Sequence, residues 1–264
     1  MENKKKKDYN SVFLPSTRDI DVVTLEELTW LLYGQPGVGK TTFAASMDKA
    51  LFLCTMPGQK YIKAYKRPVT SWLMFKQYVD LLDSKTPEKY STIVIDTVDQ
   101  LYTLCKKYIY KKRNIEHVSD EEWGKGWEMV ADEFRLWVLR LALLPYGTVF
   151  ISHDKTIEKR GRITRTSKIV PSLQKQAQAI VNPICDVIAY CGFSEESADK
   201  HDSDRIIMFE PSETIEAKDW TGKLPHKCAF DYREVEDYLL GHKTTKVKTT
   251  TMPGQGKKKK KKKK

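Results

Sequence analysis

The sequence predicts an α/β fold, a mostly parallel sheet with helices on both faces and an antiparallel extension at one edge. Three observations carry that expectation. A glycine-rich turn, Gly34-Gln35-Pro36-Gly37-Val38-Gly39-Lys40-Thr41, stands between a strand-like run and a helix-like run. Two more β-branched runs, Ser91–Asp96 and Gly147–Ser152, recur with helical stripes between them, the alternation that builds a parallel sheet covered on both faces. Two later runs, Asp186–Cys191 and Arg205–Phe209, are joined by a short link, which suits antiparallel strands.

From the N-terminus, residues 1–11 are polar and form a loose basic arm. Thr29–Tyr33 reads as a buried strand, Thr42–Met47 as the start of a helix, and Ala50–Cys54 as a second short strand. Trp72, Phe75, Val79 and Leu82 recur at helical spacing, as do Val98, Leu101, Tyr102, Cys105 and Ile109 after the strand ending at Asp96. A longer helix carries Trp123, Trp127, Val130, Phe134, Trp137, Val138 and Leu141 on one face and is ended by Pro145. Its tryptophans read as core rather than as platforms for stacked bases. Residues 232–240 suggest a closing helix. From 244 onward Thr, Lys, Pro and Gly dominate, and no packed core is expected. A chain of 264 residues suits one core. The expected division is a basic arm over 1–11, one folded domain over 12–243 and a lysine-rich tail over 244–264, both ends disordered.

The formal net charge of +11 is concentrated at the ends, in Lys4 to Lys7 and Lys257 to Lys264, and without those runs the body is close to neutral. Such runs attract polyanions without reading sequence, and serve equally as solubilising appendages. The five cysteines show no C-x-x-C pair and no metal-ligand spacing with histidine. Buried thiols in a reducing compartment are expected. No apolar run approaches the length of a membrane span and the N-terminus is charged, so the chain reads as soluble, free of membrane and cytoplasmic.

The turn at 34–41 fits G-x-x-x-x-G-K followed by Ser or Thr at every fixed position. That spacing lets backbone N–H groups face inward around a phosphate, brings Lys40 to the β and γ phosphates, and offers the Thr41 hydroxyl to Mg²⁺. Gly34 to Thr42 are therefore the expected nucleotide-binding residues. Asp96, about 55 residues further on, ends a β-branched strand and can complete a Mg²⁺ site opposite Thr41. Asp99, one turn along, reads either as a water-ordering acid or as a helix-start acid favouring the dipole. Ser152-His153-Asp154 ends the strand running to Ile151, and His153 can report the γ phosphate to the segment after it. That segment, Lys155 to Lys168, is basic. Lys155, Lys159, Arg160, Arg162, Arg165 and Lys168 stand against Glu158 alone, a local balance of +5, with Gly161 suited to a hairpin turn and Ile157 and Ile163 on its arms. A basic hairpin there can grip a nucleic-acid backbone; the plain alternative is a solvated surface loop.

Four segments together carry a family resemblance: the phosphate loop, Ile-Asp-Thr-Val at 95–98, Ile-Ser-His-Asp-Lys at 151–155 and Ala-Lys-Asp-Trp-Thr-Gly-Lys-Leu-Pro at 217–225. Over roughly residues 28–230 they resemble phage RecA-like P-loop ATPases, among them RecA-type single-strand annealing proteins of phage recombination systems. The resemblance implies a RecA-like P-loop NTPase core, ATP with Mg²⁺, a ring or filament of identical subunits, and single-stranded DNA bound during recombination, annealing or repair. It also implies a host-cytoplasm location where the chain is phage-encoded, and a single-stranded DNA-binding protein as a candidate partner. Two departures stand out. The family's Thr-Glu-x-Gly segment, whose glutamate polarises water, reads Thr55-Met56-Pro57-Gly58 here. The family's Lys-x-Arg-x-Gly segment, which reaches a neighbour's γ phosphate, reads Lys218-Asp219-Trp220-Thr221-Gly222, so Lys218 alone is left. An arginine finger is worth about 10³–10⁵ in rate, or roughly 4–7 kcal/mol of barrier, so weak ATPase activity is expected, with Lys40, Asp96, His153 and Lys218 as its catalytic residues. Two alternatives stay open: a nucleotide-gated DNA-binding module with negligible turnover, and a P-loop motor of another phage DNA pathway.

Overall fold

The computed structural model describes residues 24–84, 89–115, 125–160, 165–194 and 205–244. The terminal lysine runs, Trp123, Gly161, Arg162 and Ile163 lie outside the described residues. In chain order the strands are β1 (Thr29–Tyr33), β2 (Ala50–Cys54), β3 (Tyr65–Pro68), β4 (Thr92–Asp96), β5 (Gly147–Ser152), β6 (Asp154–Arg160), β7 (Arg165–Pro171), β8 (Val187–Phe193), β9 (Arg205–Met208), β10 (Lys218–Asp219) and β11 (Lys227–Ala229). The helices are α1 (Lys40–Ala45), α2 (Trp72–Ser84), α3 (Val98–Arg113), α4 (Lys125–Ala142), α5 (Lys175–Ile184) and α6 (Tyr232–Leu239), with a 3₁₀ turn at Leu25–Glu27 before β1.

The main sheet runs β11-β9-β8-β1-β5-β4-β2-β3, with β10 paired to the start of β8. From β3 to β8 neighbouring strands are parallel, while β9, β10 and β11 join antiparallel. This is the RecA-like P-loop core of the expected fold class, with its antiparallel edge.

The central strands are apolar at nearly every position because both of their faces are covered. Alternate side chains part to opposite sides. Leu31, Tyr33, Ile93, Ile95 and Phe150 pack with Trp72, Phe75, Val79, Leu101, Phe134, Val138 and Val181 of α2 to α5. Trp30, Leu32, Val94, Val149 and Ile151 pack with Phe43, Ala44, Val235 and Leu239 of α1 and α6. Thus the helix after β1 lies on one face and the helix after β4 on the other. Chain paths diverging in this way open a crevice at the carboxyl ends of the strands.

The long helix differs from its expected form at two points. It ends at Ala142 rather than running to Pro145. Its buried stripe is Val130, Phe134, Val138 and Leu141, while Trp127 and Trp137 are only half-buried. The basic segment does form a hairpin: β6 and β7 pair antiparallel from Asp154–Pro171 at the base to Arg160–Arg165 toward the tip.

Candidate nucleotide-binding site

The register aligns the strand ends. Tyr33 of β1 pairs with Ser152 of β5, Ile151 of β5 with Asp96 of β4, and Asp96 with Cys54 of β2. Because β5 lies between β1 and β4, its last residues sit between the glycine loop and Asp96. A cavity of about 400 Å³ opens there, lined by Pro36, Gly37, Gly39 to Thr42, Met56 to Gln59, Ile62, Asp96, Thr97, Ile151 and His153.

The loop demands its glycines. A Cβ on Gly34 would fall 2.0 Å from the Cys191 carbonyl oxygen of β8, an approach only a hydrogen permits. Gly39 has φ +109°, and a Cβ there would stand 2.9 Å from the Arg205 guanidinium and 3.6 Å from the Phe230 ring. Lys40, 5% exposed, donates from Nζ to the carbonyls of Gly34 (2.6 Å) and Gln35 (2.9 Å). The ammonium thus bridges back over the loop whose N–H groups and helix-starting amides would face a phosphate. Burial lowers its pKa, against the opposing pull of Asp154, Asp96 and Asp99. The Phe43 ring, stacked on Phe230 at 5.1 Å, fixes α1 beneath the loop.

Across the cavity the Thr41 hydroxyl donates to Asp96 Oδ2 at 3.0 Å, and Gln59 Nε2 donates to the same oxygen at 3.0 Å. A hydroxyl and a carboxylate facing one another make an all-oxygen donor set, which suits Mg²⁺ completed by water and phosphate oxygens. Thr41 and Asp96 are the residues that would hold the ion.

His153 lines the cavity. Its backbone N–H donates to Asp99 Oδ2 at 3.3 Å, and its Nδ1 is buried with no partner among the described residues. Asp99 also accepts from the hydroxyls of Ser152 (3.0 Å) and Ser172 (2.5 Å). The Ser172 N–H returns to the His153 carbonyl at 2.8 Å. Both readings of Asp99 at the sequence level are therefore incomplete. It is in the first turn of α3, but its carboxylate ties the end of β5 to the end of β7, and so the pocket to the base of the hairpin.

Met56 stands at the cavity rim, 43% exposed, its Sδ 3.9 Å from the Thr97 hydroxyl. A thioether there neither takes a proton nor orients water. Among the basic residues expected to meet nucleic acid, Lys155 Nζ donates to the Ser172 and Leu173 carbonyls (3.3 and 2.8 Å), and Lys168 lies 3.8 Å from Glu216 with its side chain 17% exposed. Both brace the hairpin's base. Lys159, Arg160 and Arg165 occupy its far end. Lys218 is not in the pocket of its own chain. It pairs in β10 with Ile188 of β8, donates to the Asn182 and Cys185 carbonyls, and covers the exposed Trp220 ring at 3.3 Å. Gln59, Ser172 and Arg205 carry no local sequence signal, and only the fold brings them to the site.

This loop, acid and sheet order define a P-loop ATPase of the AAA and RecA-like kind, a fold that generally holds nucleotide with Mg²⁺. Residues 26–221 match AAA_24, an AAA domain, and the chain belongs to that family. A relative in Bacillus subtilis (strain 168), the SPbeta prophage-derived uncharacterized protein YorG, is 26% identical over 223 residues. The match covers 81% of this chain and 62% of YorG, so the chain spans less than two thirds of that relative's length. The RadB recombinase crystal structure is also similar, at a TM-score of 0.40 and 13% identity over 70% of this chain and 81% of that one. No helix among the described residues is long and apolar enough to cross a membrane. All five cysteines are free thiols.

Proposed function

We propose that the chain binds ATP with Mg²⁺ in this cavity and that the bound γ phosphate governs single-stranded DNA binding by the β6–β7 hairpin, in phage recombination, annealing or repair. The observation that carries the reading is the unbroken path from pocket to hairpin: His153 at the cavity, Asp99 beneath it, and Ser172 at the foot of β7. A γ phosphate engaging His153 would shift a backbone that shares its acceptor with the hairpin. The far end of the hairpin, where Lys159, Arg160 and Arg165 lie on the paired strands, suits a phosphate backbone. Assembly into a ring or filament would bring Lys218 toward a neighbour's nucleotide, once released from its two carbonyls. The prophage origin of YorG is in keeping with a phage setting.

A second reading is favoured by Met56. With no carboxylate at that position, the chain would be a nucleotide-gated DNA-binding module that turns over ATP negligibly. The deciding experiment is a titration of a labelled single-stranded oligonucleotide with no nucleotide, with MgADP and with a non-hydrolysable MgATP analogue, alongside steady-state ATPase. Affinity that tightens only with the triphosphate analogue supports gating. DNA-stimulated turnover selects the ATPase, and its absence selects the module. Affinity that ignores nucleotide overturns the proposal.

A further inference from the structure

The loop from β2 to β3 lines the pocket with Met56 to Gln59 and Ile62, but Lys60, Tyr61, Lys63 and β3 itself lie outside that lining and form a separate surface. Residues 60–67 read Lys-Tyr-Ile-Lys-Ala-Tyr-Lys-Arg, with no acid among them. Lys60, Lys63 and Arg67 are exposed, Tyr65 is 43% exposed and Tyr61 is 100% exposed. Lys89 lies 4.7 Å over the Tyr65 ring, which meets Tyr90 edge-on at 5.2 Å. β3 ends the main sheet, paired with β2 on one side only among the described residues.

Charges and a proline on an edge strand guard against edge-to-edge pairing, and Lys66, Arg67 and Pro68 serve that purpose. Edge protection does not explain Tyr61. That ring precedes the strand and has no burial to offset its hydration, yet it stands among cations. Exposed rings interleaved with lysine and arginine match an unpaired nucleic-acid strand, whose bases stack while its phosphates meet cations.

The surface is also wired to the pocket. Lys66 Nζ donates to the carbonyls of Gln59 and Ile62, each at 2.7 Å, and so fixes the loop carrying Tyr61. Gln59 in turn donates to Asp96. An ion at Asp96 would compete with that amide, so occupation of the pocket bears on the loop.

We infer that this edge, centred on Tyr61, Tyr65, Lys63 and Arg67, is a second contact for single-stranded nucleic acid, separate from the hairpin and tied to the pocket through Gln59. The ligand class rests on the function proposed above, while the site does not. The test measures binding of a labelled oligo(dT) by the full chain, by Tyr61→Ala and by the double variant Lys63→Ala/Arg67→Ala. Tyr61→Ala is expected to weaken binding about tenfold. The double variant is expected to lower the log–log salt slope by about 1.4. Both should keep wild-type nucleotide affinity, and ultraviolet cross-linking should label a peptide containing Tyr61 or Tyr65. Unchanged affinity and slope in variants of a DNA-binding wild type would overturn this site and leave the hairpin proposal standing. Equal losses on duplex DNA would reduce the surface to bulk charge and overturn the stacking role. Variants that alter only the sedimentation coefficient would make it a contact between copies, also against the inference. A wild type that binds no single strand overturns both proposals.

Discussion

The Ser172 hydroxyl donates to the Asp99 carboxylate at 2.5 Å across 73 residues of sequence. Ser172 follows the last residue of β7 and Asp99 is in the first turn of α3, so this contact joins the hairpin to the helix that leaves Asp96. The same carboxylate holds Ser152 and the His153 N–H, so its two oxygens accept three donors at the pocket floor. Asp99→Asn keeps the shape and replaces one acceptor with a donor. Hydrogen bonds to a charged group are worth about 1.5–3 kcal/mol. The variant is therefore expected to shrink the nucleotide-dependent gain in DNA affinity about tenfold or more, measured by oligonucleotide titration with and without the triphosphate analogue. A gain of wild-type size would show that Asp99 only shapes the fold.

Burial depresses the Lys40 ammonium below the usual 10.5. A bound triphosphate favours the charged form and raises it again. Between those two values binding takes up a proton, so affinity falls as pH rises, starting below the ordinary lysine range. In the ligand-free protein the unfolded chain holds the extra proton over the interval between the depressed and the usual pKa, so stability rises with pH there. Calorimetry in buffers of different ionisation enthalpy should show proton uptake that grows toward alkaline pH. Uptake that persists in Lys40→Ala would assign it to another group.

Met56 stands at the cavity rim, at the place where the family resemblance puts a water-orienting acid, and a thioether lacks that chemistry. Met56→Glu is expected to raise steady-state hydrolysis about 10²-fold, the lower end of what a placed general base contributes. A phosphate-release assay on the variant and the wild type reads this directly. A folded variant with unchanged turnover would remove position 56 from the reaction.

Glu133 on α4 accepts from Trp72 Nε1 at 2.9 Å and from Lys76 Nζ at 3.1 Å, with the Lys76 and Glu133 side chains 16% and 17% exposed. Glu133→Ala strands the Trp72 donor between α2 and α4 and leaves Lys76 only the Tyr108 hydroxyl at 3.5 Å. The expected loss is about 1–3 kcal/mol, seen as a lower denaturant midpoint with an unchanged slope. A change below 0.5 kcal/mol, the range of ordinary surface substitutions at roughly ±0.5 kcal/mol, would show that water re-satisfies both donors.

Local chemistry carried much of the fold into plain view. Gly34 to Thr41 is legible because phosphate binding constrains consecutive residues. β1, β4 and β5 are legible because strands buried on both faces must be apolar throughout. α2 and α3 show their stripes because one face of each is buried. Other elements were hidden for equally local reasons. β3 reads Tyr-Lys-Arg-Pro and has no apolar run, and it is a strand because β2 pairs with it. α5 carries Ala177, Ile180 and Val181 at helical spacing, a signal that was present, but it follows the basic segment and contains Pro183.

The site divides along the same line. The sequence by itself determined the phosphate loop, the acid at Asp96 and a basic hairpin following His153, because each lies within one stretch of chain. Only the tertiary structure decided that β5 lies between β1 and β4, that Gln59 meets Asp96, that Asp99 holds Ser172, and that Lys218 meets the Asn182 and Cys185 carbonyls rather than lining the pocket. Those relations are hydrogen bonds and strand pairings between residues far apart along the chain. Periodicity reports which side of an element is buried and is silent about what it is buried against.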